Sequence, residues 1–127
     1  MNHSTRLQFI IFIMISIAIA SCTYEKIEEV EGLPQDVSFQ NDIIPMFNAS
    51  CNSVGCHNDG GIPPDLSPAN AYADITTTTG MIDLAVPENS ELYIRMTDVA
   101  KPMPMSGVLP YESSQVLSWI TDGAKDN

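Results

Sequence analysis

Apolar residues recur at helical spacing in several short stretches of this chain. In the first, Phe39, Ile43 and Phe47 fall at i, i+4 and i+8, so they share one face of a predicted helix. Ser38 is a residue type that caps a helix start, whereas Pro45 predicts a kink or shortened last turns. The sequence leaves open whether the apolar face packs against other helices or against a bound group.

Three further segments predict short helices. Ser67-Pro68 has the form of a cap followed by proline at the first helical position, and Gly123 is typical of a helix end. No repeat and no second domain is visible, and the connections are rich in Gly and Pro. The pattern therefore predicts an all-α fold of four to five short helices with long loops. The three further helices are predicted to run from Pro68 to Ile75, to begin at Ser90, and to run from about Glu112 to Asp122.

The N-terminal segment has the composition of an export signal. Arg6 precedes an apolar run, Leu7 to Ala20, of about 14 residues, which is shorter than the ~20 that a membrane-spanning helix needs. The run ends in Ile19-Ala20-Ser21-Cys22, which resembles the cleavage box of bacterial lipoproteins. We therefore predict a lipoprotein signal peptide over residues 1–21 and Cys22 as the lipid-carrying N-terminus. An ordinary secretory signal and an uncleaved anchor remain the alternatives.

Acidic residues dominate the charge of the chain. Sixteen Asp and Glu face five Lys and Arg, which gives a net charge of −11. Residues 22–36 hold four glutamates and few large apolar groups, so they predict an acidic tether between the lipid and a domain over residues 37–127. An acidic surface argues against nucleic acid as a partner. It is compatible with a basic protein partner, or with solubility alone.

The candidate chemistry is concentrated in one motif, Cys51-Asn52-Ser53-Val54-Gly55-Cys56-His57. Two cysteines with a histidine directly after the second are the sequence form of covalent haem attachment. Each thiol adds to one haem vinyl group, and the histidine becomes the proximal ligand of the iron. The usual spacing leaves two residues between the cysteines, whereas four occur here. The longer loop must bulge, and Asn52, Ser53 and Gly55 are residue types that tolerate turns and positive φ.

The residues alone also allow two other fates for the cysteines. In an oxidising compartment, Cys51 and Cys56 can form a short-loop disulfide, which would make the protein a haem-free surface lipoprotein with a binding or structural role. A zinc site needs four ligands, but the mature chain offers one histidine and two cysteines besides Cys22. Exported thiols do not usually stay free, so we expect either a haem or a bridge.

A methionine-containing loop follows far along the chain. A haem iron held by one histidine has a sixth position, which methionine sulfur often fills in electron-carrying cytochromes. Met103 and Met105 lie in a loop in which prolines flank Met103 and restrict its backbone. Methionine is also a common core filler, and we assign Met81 and Met96 to packing.

The order of these features resembles the small c-type cytochrome domains of exported proteins from Bacteroidetes and Planctomycetes. In that family, a four-residue spacing with glycine before the second cysteine is a familiar variant. Met105 departs from the family, because it stands where the family has the second proline of a Met-Pro-Pro loop. The resemblance covers most of residues 39–124: the Phe39–Phe47 helix, the Cys51–His57 motif, Val86-Pro87 with Ser90 to Arg95, Met103-Pro104, and Trp119-Ile120 with Gly123-Ala124.

The resemblance implies a cytochrome c-like fold around one covalent haem c. Cys51 and Cys56 would hold the haem, with His57 and Met103 as axial ligands and Met105 as the second candidate for the distal position. The implied function is single-electron transfer between redox proteins, without a substrate reaction of its own.

Two questions stay open within this interpretation. If Met103 does not bind, the iron has an open position, as in a gas sensor or a peroxidase. Lys101 and Arg95 are either partners of the haem propionates or ordinary surface charges. The predicted location is a membrane-anchored lipoprotein that faces the periplasm or the cell surface.

Overall fold

A computed structural model describes residues 32–127 of the chain, and this range is all-α, with no strand. A π-helical turn, Phe39–Ile43, leads directly into the first α-helix, and a 3-10 turn, Pro87–Asn89, precedes the third. The predicted class, all-α with four to five short helices, is confirmed. The α-helices of the described range are α1 (Ile44–Ser50), α2 (Ala71–Thr77), α3 (Glu91–Thr97) and α4 (Pro110–Thr121).

Most of the predicted N-terminal segments lie outside the part of the chain that the structure describes. The signal peptide over residues 1–21, Cys22 and the tether up to residue 31 lie outside the described residues. At the end of the predicted tether, the Pro34 carbonyl accepts a hydrogen bond from the Ser118 hydroxyl on α4. From residue 32 onward, no helix combines the length and the apolar character needed to cross a membrane.

The first helical segment begins at Ser38, as predicted. The Ser38 hydroxyl accepts a backbone N–H in the first turn, which satisfies a donor that has no partner inside the helix. Pro45 lies in the first turn of α1, where its missing N–H is tolerated. The turn before it is widened, because the N–H of Ile44 donates to the carbonyl of Phe39 five residues back. Of the two predicted effects of Pro45, a kink or shortened last turns, the shortening is wrong, since α1 continues to Ser50.

The apolar face of this segment packs against other helices. Phe39, Ile43 and Phe47 have no exposed surface. The ring centroid of Phe39 lies 5.0 Å from that of Trp119 on α4 and 5.2 Å from that of Tyr72 on α2. Aromatic pairs at such distances stabilise a core beyond the area they bury. The face therefore forms the core that joins α1, α2 and α4.

Helix α4 supplies the apolar set that the sequence predicts. It begins at Pro110, two residues before the predicted start, and ends next to Gly123, whose φ of +97° suits glycine. The indole N–H of Trp119 donates to the carbonyl of Lys125 at 2.7 Å, so the one polar atom of this buried ring has a partner. The predicted apolar residues of α4 are all buried: Val116, Leu117, Trp119 and Ile120.

Helix α2 begins later than predicted. It starts at Ala71 rather than Pro68, because a side chain outside the helix holds the preceding residues in a turn. The Asp65 carboxylate accepts the N–H of Ser67 at 2.8 Å and the amide of Asn70 at 2.7 Å. The hydrogen bonds from Ser67 and then Asn70 also lower the pKa of Asp65.

Candidate functional site

Two cavities that share part of their walls lie between the cysteine motif and the methionine loop. The smaller, about 130 Å³, is lined by Cys51, Cys56 and the loop that carries both candidate methionines. The larger, about 290 Å³, extends toward α3. The structure thus places every predicted haem-site residue around these two adjoining cavities. Both cavities are lined by His57, Ile62, Leu66 and Met103.

The walls of the two cavities are mostly apolar. Ile62 and Leu66 face both cavities, while Met81 and Leu92 face the larger one. Apolar walls with a few polar groups are typical of sites that bind a small molecule or a cofactor. Met96 is buried in the core, as predicted for a packing residue, whereas Met81 both packs against the core and lines the larger cavity.

Two backbone carbonyls orient the imidazole of His57. Its Nδ1 lies 3.0 Å from the carbonyl oxygen of Ile62 and 3.1 Å from that of Pro64. Because a carbonyl only accepts, Nδ1 must carry the proton, and the neutral ring then has its lone pair on Nε2. Metal-ligating histidines typically donate their other ring N–H to a carbonyl or a carboxylate. The arrangement therefore leaves the lone pair of Nε2 available to a ligand or a metal.

A tight loop after His57 supplies these carbonyls. The N–H of Gly61 donates to the carbonyl of Asn58 at 2.7 Å, and the N–H of Ile62 donates to that of Cys56 at 2.8 Å. A Cβ atom at Gly61 would collide with the Cys56 carbonyl, so only glycine fits this approach. The loop therefore brings the chain back to the Nδ1 edge of the His57 ring.

Sequence reasoning missed the role of this loop. It predicts no regular structure between residues 58 and 64, and it assigns no function to the carbonyls of Ile62 and Pro64. The available signal was the sequence Gly60-Gly61 followed by Pro63-Pro64, directly after the motif histidine. Such residues mark a tight turn but do not reveal which side chain the turn approaches.

The four residues between the cysteines form the expected bulge. Gly55 has a φ of +83°, a conformation that glycine adopts without strain. The N–H of Cys56 donates to the carbonyl of Ser53 at 2.9 Å, and the N–H of His57 donates to that of Cys51 at 3.2 Å. The wide spacing is therefore accommodated while both cysteines line the smaller cavity.

Both cysteines of the motif are free thiols in the structure. Burial, and secondly the charge of the neighbouring Cys56, raises the pKa of Cys51 from 9.0 to about 11. Cys51 is therefore protonated at neutral pH. For the zinc alternative, no three His, Cys, Asp or Glu side chains in residues 32–127 are grouped so that they could hold a metal ion.

The methionine loop is fixed to the end of α3. The N–H of Met103 donates to the carbonyl of Arg95 at 2.9 Å. Just before the loop, the Asp98 carboxylate accepts the N–H groups of Ala100 at 2.8 Å and Lys101 at 3.2 Å. These bonds form a corner that turns the chain from α3 back toward the cavities.

The two candidate methionines differ in their positions. Met103 is 40% exposed and lines both cavities. Met105 is 80% exposed and lines only the smaller of the two cavities. The side chain of Met103 is therefore more enclosed by the residues that surround His57.

No protein-family model, curated protein or solved structure matches the chain. The function is therefore inferred from the motif, its resemblance and the geometry of the cavities.

Proposed function

We propose that this protein is a single-haem c-type cytochrome that carries one electron at a time between redox proteins. The observation that carries the proposal is the orientation of His57, whose Nδ1 is held by the carbonyls of Ile62 and Pro64. The same histidine lines a cavity together with both motif cysteines and Met103. Two thiols can attach haem c covalently, and a donor nitrogen and a thioether sulfur can bind its iron, within apolar walls.

The residues present fit this cofactor. Cys51 and Cys56 would hold the ring by thioether bonds, Nε2 of His57 would bind one side of the iron, and the sulfur of Met103 would bind the other. Met105 is the second candidate for that position. Haem supplies a one-electron iron couple, whereas the chain supplies the ligands, the apolar walls and the hydrogen bonds that set its potential. Methionine opposite histidine raises that potential.

This ligand set favours an electron carrier over an enzyme. If His57 and Met103 both bound the iron, no coordination position would be left for a substrate. The all-α architecture, in which a helical segment precedes the motif and α4 packs against the π-helical turn at its start, supports a cytochrome c-like fold. The redox partner would be a protein with a basic docking surface, since the chain has a net charge of −11.

The anchor and the location are part of the same proposal. Cys22 would carry the lipid, and the acidic segment that follows would hold the haem domain away from the membrane, facing the periplasm or the cell surface. This part rests on the sequence of residues 1–36. Export is consistent with a c-type cytochrome, because exported thiols do not usually stay free, and thioether bonds to haem would consume both motif thiols.

A visible spectrum of protein matured in a host with haem-attachment machinery tests the proposal. We expect a c-type reduced spectrum, and a pyridine haemochrome that stays with the denatured polypeptide. Met103→Ala should abolish the weak sulfur–iron band of the oxidised protein. The matched control, Met105→Ala, should keep that band, because Met105 is mostly exposed.

Each of the other possible outcomes would indicate a different function or a different distal ligand. A colourless product with a Cys51–Cys56 bridge would overturn the cytochrome proposal in favour of the disulfide-closed lipoprotein. Covalent haem without a sulfur–iron band in the unmodified protein would indicate an open iron, as in a sensor or a peroxidase. Loss of the band in Met105→Ala alone would assign the distal position to Met105.

A further inference from the structure

Arg95 is the basic residue of the larger cavity. Between residues 32 and 127, the Lys and Arg residues are Arg95, Lys101 and Lys125. Of these, Arg95 alone lines either of the two cavities beside His57. The sequence could not separate Arg95 from Lys101 as a partner for an anionic group, whereas the structure does.

Only one nitrogen of the Arg95 guanidinium donates a hydrogen bond to another described residue. Its Nε donates to Oε1 of Glu91 at 2.6 Å, one turn earlier on α3. Its two terminal nitrogens make no hydrogen bond to other described residues. Since guanidinium has five N–H donors, four remain for a further acceptor, and the terminal pair suits both oxygens of one carboxylate.

The position of the pair suits the polar end of a ligand. The side chains of Arg95 and Glu91 are 50% and 43% exposed, so they lie where the larger cavity meets solvent. The interior walls, by contrast, are apolar side chains such as Leu66 and Leu92. A ligand with an apolar body and a carboxylate at its edge would therefore place its carboxylate beside Arg95.

Haem has this shape, with an apolar ring and two propionates on one edge. We propose that the terminal nitrogens of Arg95 bind a haem propionate while Nε stays on Glu91, an inference that rests on the proposed function. In a chain with a net charge of −11, a propionate near Glu91 needs such a cation.

Arg95 would also connect the propionate to the distal ligand. Its backbone carbonyl accepts the N–H of Met103 at 2.9 Å, so one residue holds the methionine loop by its backbone and the propionate by its side chain. Replacing the side chain leaves that carbonyl in place. Arg95 is thus a positioning residue whose charge acts on the potential of the haem.

The sign of the charge effect is defined by the chemistry. Reduction adds one negative charge to the haem, so a nearby cation favours the reduced form and a nearby anion favours the oxidised form. Removing the charge of Arg95 should lower the midpoint potential, and removing that of Glu91 should raise it. A loss of packing would not produce shifts of opposite sign at the two positions.

The test is a spectroelectrochemical titration of the haem-loaded full chain at low and at high salt. We expect Arg95→Gln to lower the equilibrium constant for reduction by about threefold to tenfold at low salt, where tenfold corresponds to 59 mV for one electron. High salt should shrink the shift, because both side chains are half-exposed. Arg95→Lys should restore most of the potential, and Glu91→Gln should shift it upward.

Lys101→Gln is the matched control, since it removes the same charge from a residue that lines neither cavity. Equal shifts in Arg95→Gln and Lys101→Gln, with haem covalently attached, would overturn the inference and leave the proposed function standing. An unmodified protein without covalent haem would overturn both. If Arg95→Gln does not mature, the sign of the Glu91→Gln shift decides, and a downward shift rejects the inference.

Discussion

Burial changes the acidity of one motif thiol. The pKa of Cys51 rises to about 11, first because its thiolate would be desolvated and second because of the charge on Cys56. Thiolate is the nucleophilic form of cysteine, so this thiol should react slowly with electrophiles at neutral pH. The effect belongs to the folded chain, since an unfolded chain solvates the sulfur.

Alkylation of haem-free protein tests this environment. In a Cys56→Ser variant, the rate of reaction of Cys51 with iodoacetamide should rise with pH and reach half its maximum at a higher pH than in the unfolded chain, because desolvation, the main cause of the raised pKa, remains. The same variant in urea is the control, with a midpoint near the ordinary thiol pKa of 9.0. Mass spectrometry assigns the label to Cys51. Equal midpoints in buffer and in urea would contradict the buried position of this thiol.

At the level of the helices, caps and proline placement determine where short segments begin. A segment as short as Phe39–Ser50 is marginal in isolation, so it depends on its cap and on tertiary packing. Ser38 accepts the N–H of Asn41 at 3.1 Å and donates its hydroxyl hydrogen to the carbonyl of Asn127 at 2.7 Å. One hydroxyl therefore caps the helix and attaches a distant segment to its start.

Removing this hydroxyl should destabilise the fold without removing core atoms. We expect Ser38→Ala to lower the free energy of unfolding by about 1 kcal/mol and the melting temperature by about 4–8 °C. Thermal unfolding followed by circular dichroism measures the change. Ser38→Thr keeps a hydroxyl at the same position and should stay close to the unmodified protein. Identical melting temperatures for the Ala and Thr variants would refute the capping role.

At the level of the whole molecule, the acidic charge affects every encounter with a charged partner. Sixteen acidic and five basic residues give a net charge of −11, which attracts cations and repels anions over about a Debye length. For an electron carrier, this charge acts on the rate of encounter more than on the affinity of the complex.

Stopped-flow kinetics with small redox reagents tests this expectation on the haem-loaded protein. Raising the salt concentration from about 10 mM to about 500 mM should slow the reaction with cationic hexaammineruthenium by roughly tenfold and accelerate the reaction with anionic ferricyanide. A neutral quinol serves as the control and should show little change. Rates that respond to salt in the same direction for both ions would contradict steering by the net charge.

The sequence by itself determined the helical class and the residues of the motif. Phe39, Ile43 and Phe47 are all buried because a spacing of four places side chains on one helix face wherever that helix packs. The thiols and histidine between residues 51 and 57 are likewise recognisable, because the haem attachment that we propose requires them to be neighbours in the chain. These are local properties, which a single segment contains completely.

Only the tertiary structure decided which residues these segments contact. It placed the Phe39 face against Trp119 rather than a ligand, and it oriented His57 through the carbonyls of Ile62 and Pro64. The start of α2 was predicted wrongly for a more local reason, since the Asp65 carboxylate just before the helix holds the preceding turn. Cavity walls depend on which distant segments come together, and hydrogen-bond partners depend on how each loop folds back, and spacing along the chain contains neither kind of information.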